Sequence, residues 1–197
     1  MAKQGGVRVL VVDDDTDLAD TYASQLADRF AVETAYSGEA ALSALGEEVD
    51  IVLLDRRMPT LSGSDVLDAI RDRELDIRVA MVTSEQPDFD IIEMPFDDYV
   101  QKPASATDLV ETVEHLKRCL HYEEQVRAYY ALTAKRSALV ENKTPEELAE
   151  SEQFQSLEAE LADAREALSD LVAGFDASDF DQAFKDIERT QSRPSAD

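Results

Sequence analysis

At 197 residues the chain is long enough for one large domain, or for a domain of about 120 residues with an appendage. Its 44 acidic and 19 basic residues give a formal charge of −25, spread evenly: −15 over residues 1–120 and −10 over 121–197. Such a surface repels nucleic acid phosphates and keeps a folded chain soluble by self-repulsion; it points to adaptation to molar salt, with an ordinary acidic protein as the alternative.

Taken in chain order, the first 120 residues alternate strand-like and helix-like segments, the pattern of an α/β domain built on a parallel sheet. Residues 1–6 read as a disordered start leading straight into a first strand, Arg8–Val12, and a helix from Asp17 to Arg29. A second strand, Ala31–Ala35, precedes a helix that Ser37-Gly38 opens and that ends near Gly46. A third strand ends at Asp55, and a loop with Met58-Pro59 and Gly63 leads to a helix from Ser64 to Arg73. The fourth strand ends at Thr83. Pro87 and Pro95 leave room for only a short helix over 84–98. Tyr99-Val100 is a short fifth strand, and a helix begins near Thr107. Leu109, Val113, Leu116 and Leu120 give that helix an apolar face, and no glycine or proline stops it before Pro145. It runs unbroken to about Val140 or breaks near His121. Cys119, the single cysteine, falls at a buried position of this pattern and excludes an internal disulfide.

Thr144, Pro145 and Glu147 spell a helix start with a capping box. The helix that follows carries Leu157, Leu161, Ala164, Leu168, Leu171 and Phe175 in four-three alternation, a seam that implies packing against another helix. Gly174 ends it, Phe180, Phe184 and Ile187 mark a last short amphipathic helix, and residues 190–197 read as a disordered tail. No signal-peptide core follows Met1, and no run reaches the ~18 apolar residues of a membrane span, so a cytoplasmic protein without a membrane partner is expected.

Three apolar runs end in functional side chains. Val7–Val12 leads into Asp13-Asp14, Val49–Leu54 into Asp55, and Ile77–Val82 into Thr83; Lys102 follows Tyr99-Val100. Parallel strands buried on both faces read as such runs, and α/β proteins bind ligands beyond the carboxyl ends of their strands. Carboxylates gathered at one edge repel one another unless a cation intervenes. Oxygen-only ligation selects a hard ion, and few protein ligands leave room for water and phosphate oxygens, which favours Mg2+. With the hydroxyl of Thr83 and the ammonium of Lys102, the set suits phosphoryl transfer onto a carboxylate, and Asp55 on the middle strand is the best acceptor.

Val-Val-Asp-Asp, Leu-Leu-Asp-x-x-Met-Pro with Gly63 four residues after Pro59, Val-Thr-Ser and Tyr-Val-x-Lys-Pro together resemble the receiver domain of two-component response regulators over residues 7–120. The resemblance implies a flavodoxin-like, doubly wound five-stranded parallel sheet with strand order 2-1-3-4-5. It also implies that a sensor histidine kinase phosphorylates Asp55 and that Asp13, Asp14, Asp55 and the backbone carbonyl of Arg57 hold Mg2+. Lys102 then binds the phosphoryl group, Thr83 reports it, and Tyr99 is the aromatic switch. Such a protein is a signalling phosphoacceptor and not an enzyme, beyond self-phosphorylation from small phosphodonors and autodephosphorylation. The stretch from Thr83 to Lys102 is shorter than the family's. Arg56 and Arg57, bulky beside the acceptor, are read as neutralising the acidic edge.

Residues 121–189 read as an α-helical hairpin or coiled-coil output domain, with one helix through Val126, Tyr130 and Leu139. Their acidic helical composition and the Thr-Pro-Glu-Glu-Leu turn resemble the HalX domain of haloarchaeal response regulators. The expected output is an interaction or dimerisation module switched by phosphorylation, with a homodimer through these helices or the receiver, or an unknown downstream protein, as partner. The alternative is a phosphorylation-controlled DNA-binding transcriptional regulator, for which Arg127, Lys135, Arg136 and Lys143 would supply cations; a solvated face is the plainer reading of them. A phosphohistidine at His115 or His121 is a third, weaker reading.

Overall fold

In the computed structural model the runs Val9–Val12, Ile51–Leu54 and Val79–Val82 are buried throughout, and they form the interior of a five-stranded parallel sheet. The strands are β1 (Arg8–Val12), β2 (Ala31–Ala35), β3 (Ile51–Leu54), β4 (Arg78–Thr83) and β5 (Asp98–Gln101), in the spatial order β2-β1-β3-β4-β5. This is the order the resemblance implied. Continuous burial explains why β1, β3 and β4 read as unbroken apolar runs, while the edge strands β2 and β5 are partly exposed and correspondingly mixed in sequence. Register aligns the functional ends: Val12 pairs with Leu54, Leu54 with Met81 and Thr83 with Gln101. The structure describes residues 6–46 and 48–173.

The helices begin where a side chain satisfies their first amides. Asp15 caps α1 (Thr16–Leu26) and Ser37 caps α2 (Gly38–Ala44). Ser62 and Asp65 form a reciprocal capping box at α3 (Gly63–Asp72). The stretch after β4 holds only a 3-10 turn, Phe89–Glu93, as its two prolines require. Leu10, Val52, Leu54, Val66, Leu67, Ile70, Val79 and Met81 form the centre of the core between sheet and helices.

Helix α4 runs unbroken over Ala106–Asn142, and no break occurs at His121. The chain divides into two compact units between Lys117 and Arg118. In the second unit, α4 is followed by α5 (Pro145–Glu150) and α6 (Glu152–Ala173). Thr144 and Glu147 form the expected capping box.

The single helix read beyond Thr144 is in fact two. Ser151 is extended, and its hydroxyl accepts from the Phe154 amide, so it ends α5 and caps α6. Along the leucine seam Leu157 and Leu161 are buried, whereas Ala164, Leu168 and Leu171 are half-buried. Tyr130 and Leu139 are exposed, so they do not form the packed face of α4; Val126 and Tyr129 are more sheltered. Cys119 is buried, as its position suggested. Residues 1–5 and Glu47 fall outside the described residues, as do Gly174, Phe175, the Phe180–Ile187 helix and the tail.

Candidate functional site

Three loops at the carboxyl edge of the sheet bring the sequence-predicted residues together. Asp13 and Asp14 follow β1, Asp55 follows β3, Thr83 ends β4, and Lys102 follows β5. Lys102 Nζ donates to Asp13 Oδ2 at 2.6 Å and to Asp55 Oδ1 at 2.7 Å. The other oxygen of each carboxylate is also engaged, since Asp13 Oδ1 accepts from the Asp15 amide at 3.1 Å and Asp55 Oδ2 from the Arg57 amide at 2.9 Å. Asp14 is exposed, yet carboxylate oxygens of Asp13, Asp14 and Asp55 all lie within 4.8 Å of one another. Backbone bonds hold the edge rigid: the Asp55 amide donates to Val12 O and the Lys102 amide to Thr83 O, both at 2.8 Å.

Gly63 is required by this geometry. A Cβ there would sit 2.1 Å from the Asp55 carbonyl oxygen, closer than any side chain tolerates. Between Asp55 and Gly63, the Leu61 amide donates to Pro59 O at 2.8 Å across Thr60, whose φ is +68°. A β-branched residue in the left-handed region is strained, and the loop beside the acceptor therefore carries a conformation held by its surroundings.

Thr83 is fully buried, and its Oγ1 accepts from the Glu85 amide at 3.2 Å. Tyr99 is half-buried on the edge strand. Its hydroxyl donates to Glu85 O at 2.7 Å, and its ring meets that of Phe96 at 5.7 Å. The Glu85 carboxylate pairs with Arg56 Nε at 3.1 Å and with Arg57 Nε. The two arginines therefore neutralise a glutamate of the neighbouring loop in addition to lying near the aspartates. Sequence reading did not single out Glu85; it sits two residues past the Thr motif, and nothing in the sequence signals what it touches. Nor did it find Asp97, buried between Arg71 Nη2 (2.7 Å) and Arg78 Nη1 (2.8 Å) and accepting the Val79 amide. That knot anchors the shortened connection into β5.

Burial, the largest influence on Asp55, pushes its carboxyl above the usual carboxylate range; Lys102 and the Arg57 amide oppose this, and the charge of Asp13 reinforces it. Burial alone would lower the Lys102 ammonium, but its hydrogen bonds and charge pairing with Asp13 and Asp55 outweigh that and raise it. Lys102 is thus a fixed cation at the acceptor, and Asp55 favours a further positive charge nearby. The donor set is carboxylate oxygen throughout, which fits a hard divalent ion. Among the described residues this is the one cluster of carboxylates, histidines or cysteine close enough together to hold a metal ion.

An acidic, cation-seeking site at the carboxyl edge of a parallel α/β sheet defines the class of protein. Residues 9–114 match the response regulator receiver domain, and the chain belongs to that family; residues 118–184 match the HalX domain. A Haloferax volcanii protein provisionally named a transcriptional regulator is 53% identical over 158 residues, covering 80% of this chain and 27% of the relative. The transcriptional regulatory protein CutR of Streptomyces coelicolor is 38% identical over 117 residues, 57% of this chain and 54% of CutR. The chain thus spans about half or less of the length of these relatives. Among solved structures, the signal receiver domain of a Vibrio parahaemolyticus protein provisionally named a LuxO repressor is 29% identical. It superposes with a TM-score of 0.56 over 61% of this chain and 97% of that domain.

Proposed function

We propose that the protein is the phosphoacceptor of a two-component phosphorelay, taking a phosphoryl group on Asp55 from a sensor histidine kinase and passing the change to its HalX domain. The observation that carries this reading is Lys102 Nζ bridging Asp13 and Asp55, a cation already in place where phosphoryl charge would develop. An Asp55 carboxylate oxygen attacks phosphorus, the bond to the imidazole nitrogen of the phosphohistidine breaks as the new O–P bond forms, and the imidazole leaves. Lys102 holds one phosphoryl oxygen. Thr83 Oγ1, presented at the end of β4, binds another after leaving the Glu85 amide, and Tyr99 responds to that movement.

Asp13, Asp14, Asp55 and the Arg57 carbonyl would hold Mg2+. The ion supplies charge neutralisation that lets an acidic pocket accept a still more negative group. The chain acts as a signalling protein; acetyl phosphate serves as a donor in place of the kinase. Because α4 belongs to both the receiver and HalX sequences, it is the natural carrier of the change. The output is an interaction or dimerisation module. Two of the four cations considered for DNA, Arg136 and Lys143, are paired with Glu158 and Glu147, which weakens a direct DNA role. No helix among the described residues is long and apolar enough to cross a membrane.

Acetyl phosphate with Mg2+ is expected to add one phosphoryl group, and Asp55→Asn to abolish it, as read by intact mass. Labelling that persists in the variant refutes the site. Light scattering in high salt, with and without beryllium fluoride and Mg2+, reads the output: doubling of mass only in the activated wild type supports self-association, and constant mass supports a separate partner.

A further inference from the structure

One residue outside the acceptor set touches all three parts that the phosphoacceptor reading requires to move together. The Glu85 amide holds Thr83 Oγ1, its carbonyl holds the Tyr99 hydroxyl, and its carboxylate holds Arg56 and Arg57, the two residues that directly follow Asp55. The contacts are unequal. Arg57 is 80% exposed, so its pair with Glu85 contributes little by itself, whereas the Arg56 and Glu85 side chains are 15% and 23% exposed and screened less by salt. Both arginines and Glu85 line a cleft of about 550 Å3, wide enough for a guanidinium to re-aim without displacing backbone.

We propose that Glu85 is a positioning residue, an electrostatic latch that holds the loop after β4 in its unphosphorylated arrangement by neutralising Arg56 and Arg57. The latch opens when a phosphoryl group on Asp55 competes for those guanidinium groups. This rests on the reading of Asp55 as the acceptor, and adds to it the force that releases the loop.

The charge balance favours the exchange. Asp13, Asp14 and Asp55 against Lys102 leave a net −2, and a phosphoryl group replaces the single charge of Asp55 with roughly −2 of its own. Guanidinium forks match phosphoryl oxygens as well as they match a carboxylate, so the arginines have a competitive new partner within the same cleft. Once its carboxylate is released, Glu85 is held only by the two neutral hydrogen bonds that tie its backbone to Thr83 and Tyr99. Those are the bonds that must break for both side chains to move.

The test uses the full chain as wild type, Glu85→Gln and the double variant Arg56→Gln/Arg57→Gln. Beryllium fluoride binding in the presence of Mg2+ is measured by calorimetry, and hydrogen exchange of the peptide spanning residues 84–94 is followed before and after. Both variants open the latch, so that peptide should exchange roughly threefold faster than wild type without any phosphoryl mimic, the size of effect that a partly exposed charge pair supplies. The affinities should move in opposite directions, roughly threefold tighter in Glu85→Gln, where the arginines are available, and roughly threefold weaker in the double variant. A merely structural role would shift both affinities the same way, and that result, or unchanged exchange in both variants, overturns the latch. Acetyl phosphate labelling separates the two failures: a wild type that takes no label at Asp55 overturns the acceptor reading and the latch with it, whereas a labelled wild type with unaltered exchange overturns the latch alone.

Discussion

The sheet of the receiver and the helices that follow it are held by different means. In the sheet, Leu10, Ile51, Val52, Leu54 and Val79 are wholly removed from water, and the polar groups that enter the interior, such as Arg78 and Asp97, are paired there. In α6 only Leu157 and Leu161 are buried, the rest of the seam is half-covered, and the visible tie to α4 is the partly exposed Arg136–Glu158 pair at 2.6 Å. Hydrophobic burial scales with the area removed from water, so the sheet can keep a strained, cation-dependent site at its edge, while the helical region sits closer to marginal stability. A rigid support for the chemistry and an easily altered reader are what a switch needs.

The comparison is broken most directly by truncating one leucine in each region. Leu54→Ala should destabilise the receiver by about 2–5 kcal/mol, since the close-packed strand cannot collapse around the void. Leu168→Ala should cost about 1 kcal/mol or less, because its side chain is only half-covered. Hydrogen exchange resolved by peptide reads each unit separately. Equal costs at the two positions would show that the α6 seam is covered in solution, with a second copy as the first candidate.

A smaller effect in stability, with a larger one in function, is expected at Gly63→Ala. Its Cβ forces the Asp55 carbonyl to move, at about 1–3 kcal/mol, and acetyl phosphate labelling should fall with it. Full labelling with an unchanged melting point would mean the loop relaxes freely, contrary to the strain at Thr60.

The smallest shift has the opposite sign. Asp55 has a carboxyl raised above its unfolded value, so the folded state binds its proton more tightly, and stability is lost as pH rises through that raised value. Asp55→Asn should therefore raise the melting temperature of the metal-free chain at neutral pH, by roughly 2–4 °C for each kcal/mol relieved. The gain should shrink as the pH falls. A gain that grows on acidification would mean Lys102 outweighs burial at this carboxylate.

Much of this molecule follows from the order of its residues alone. Interior parallel strands must be apolar on both faces, so β1, β3 and β4 announce themselves, and whatever ends them lies at the carboxyl edge; Asp13, Asp14, Asp55, Thr83 and Lys102 were legible on that ground. The Thr144–Glu147 box was legible because capping is local, satisfied within one turn by residues three apart. The hydrogen bond that splits α5 from α6 at Ser151 is equally local, but a serine is common within helices and signals a boundary only once its backbone is seen extended. The tertiary structure alone decided what depends on distant residues. That Glu85 joins Thr83, Tyr99 and two arginines from another loop, that Asp97 is enclosed by Arg71 and Arg78, and that Gly63 is needed because the Asp55 carbonyl lies against it are all contacts between loops far apart in the chain. Charge and close approach act through space, and spacing along the chain carries no record of them.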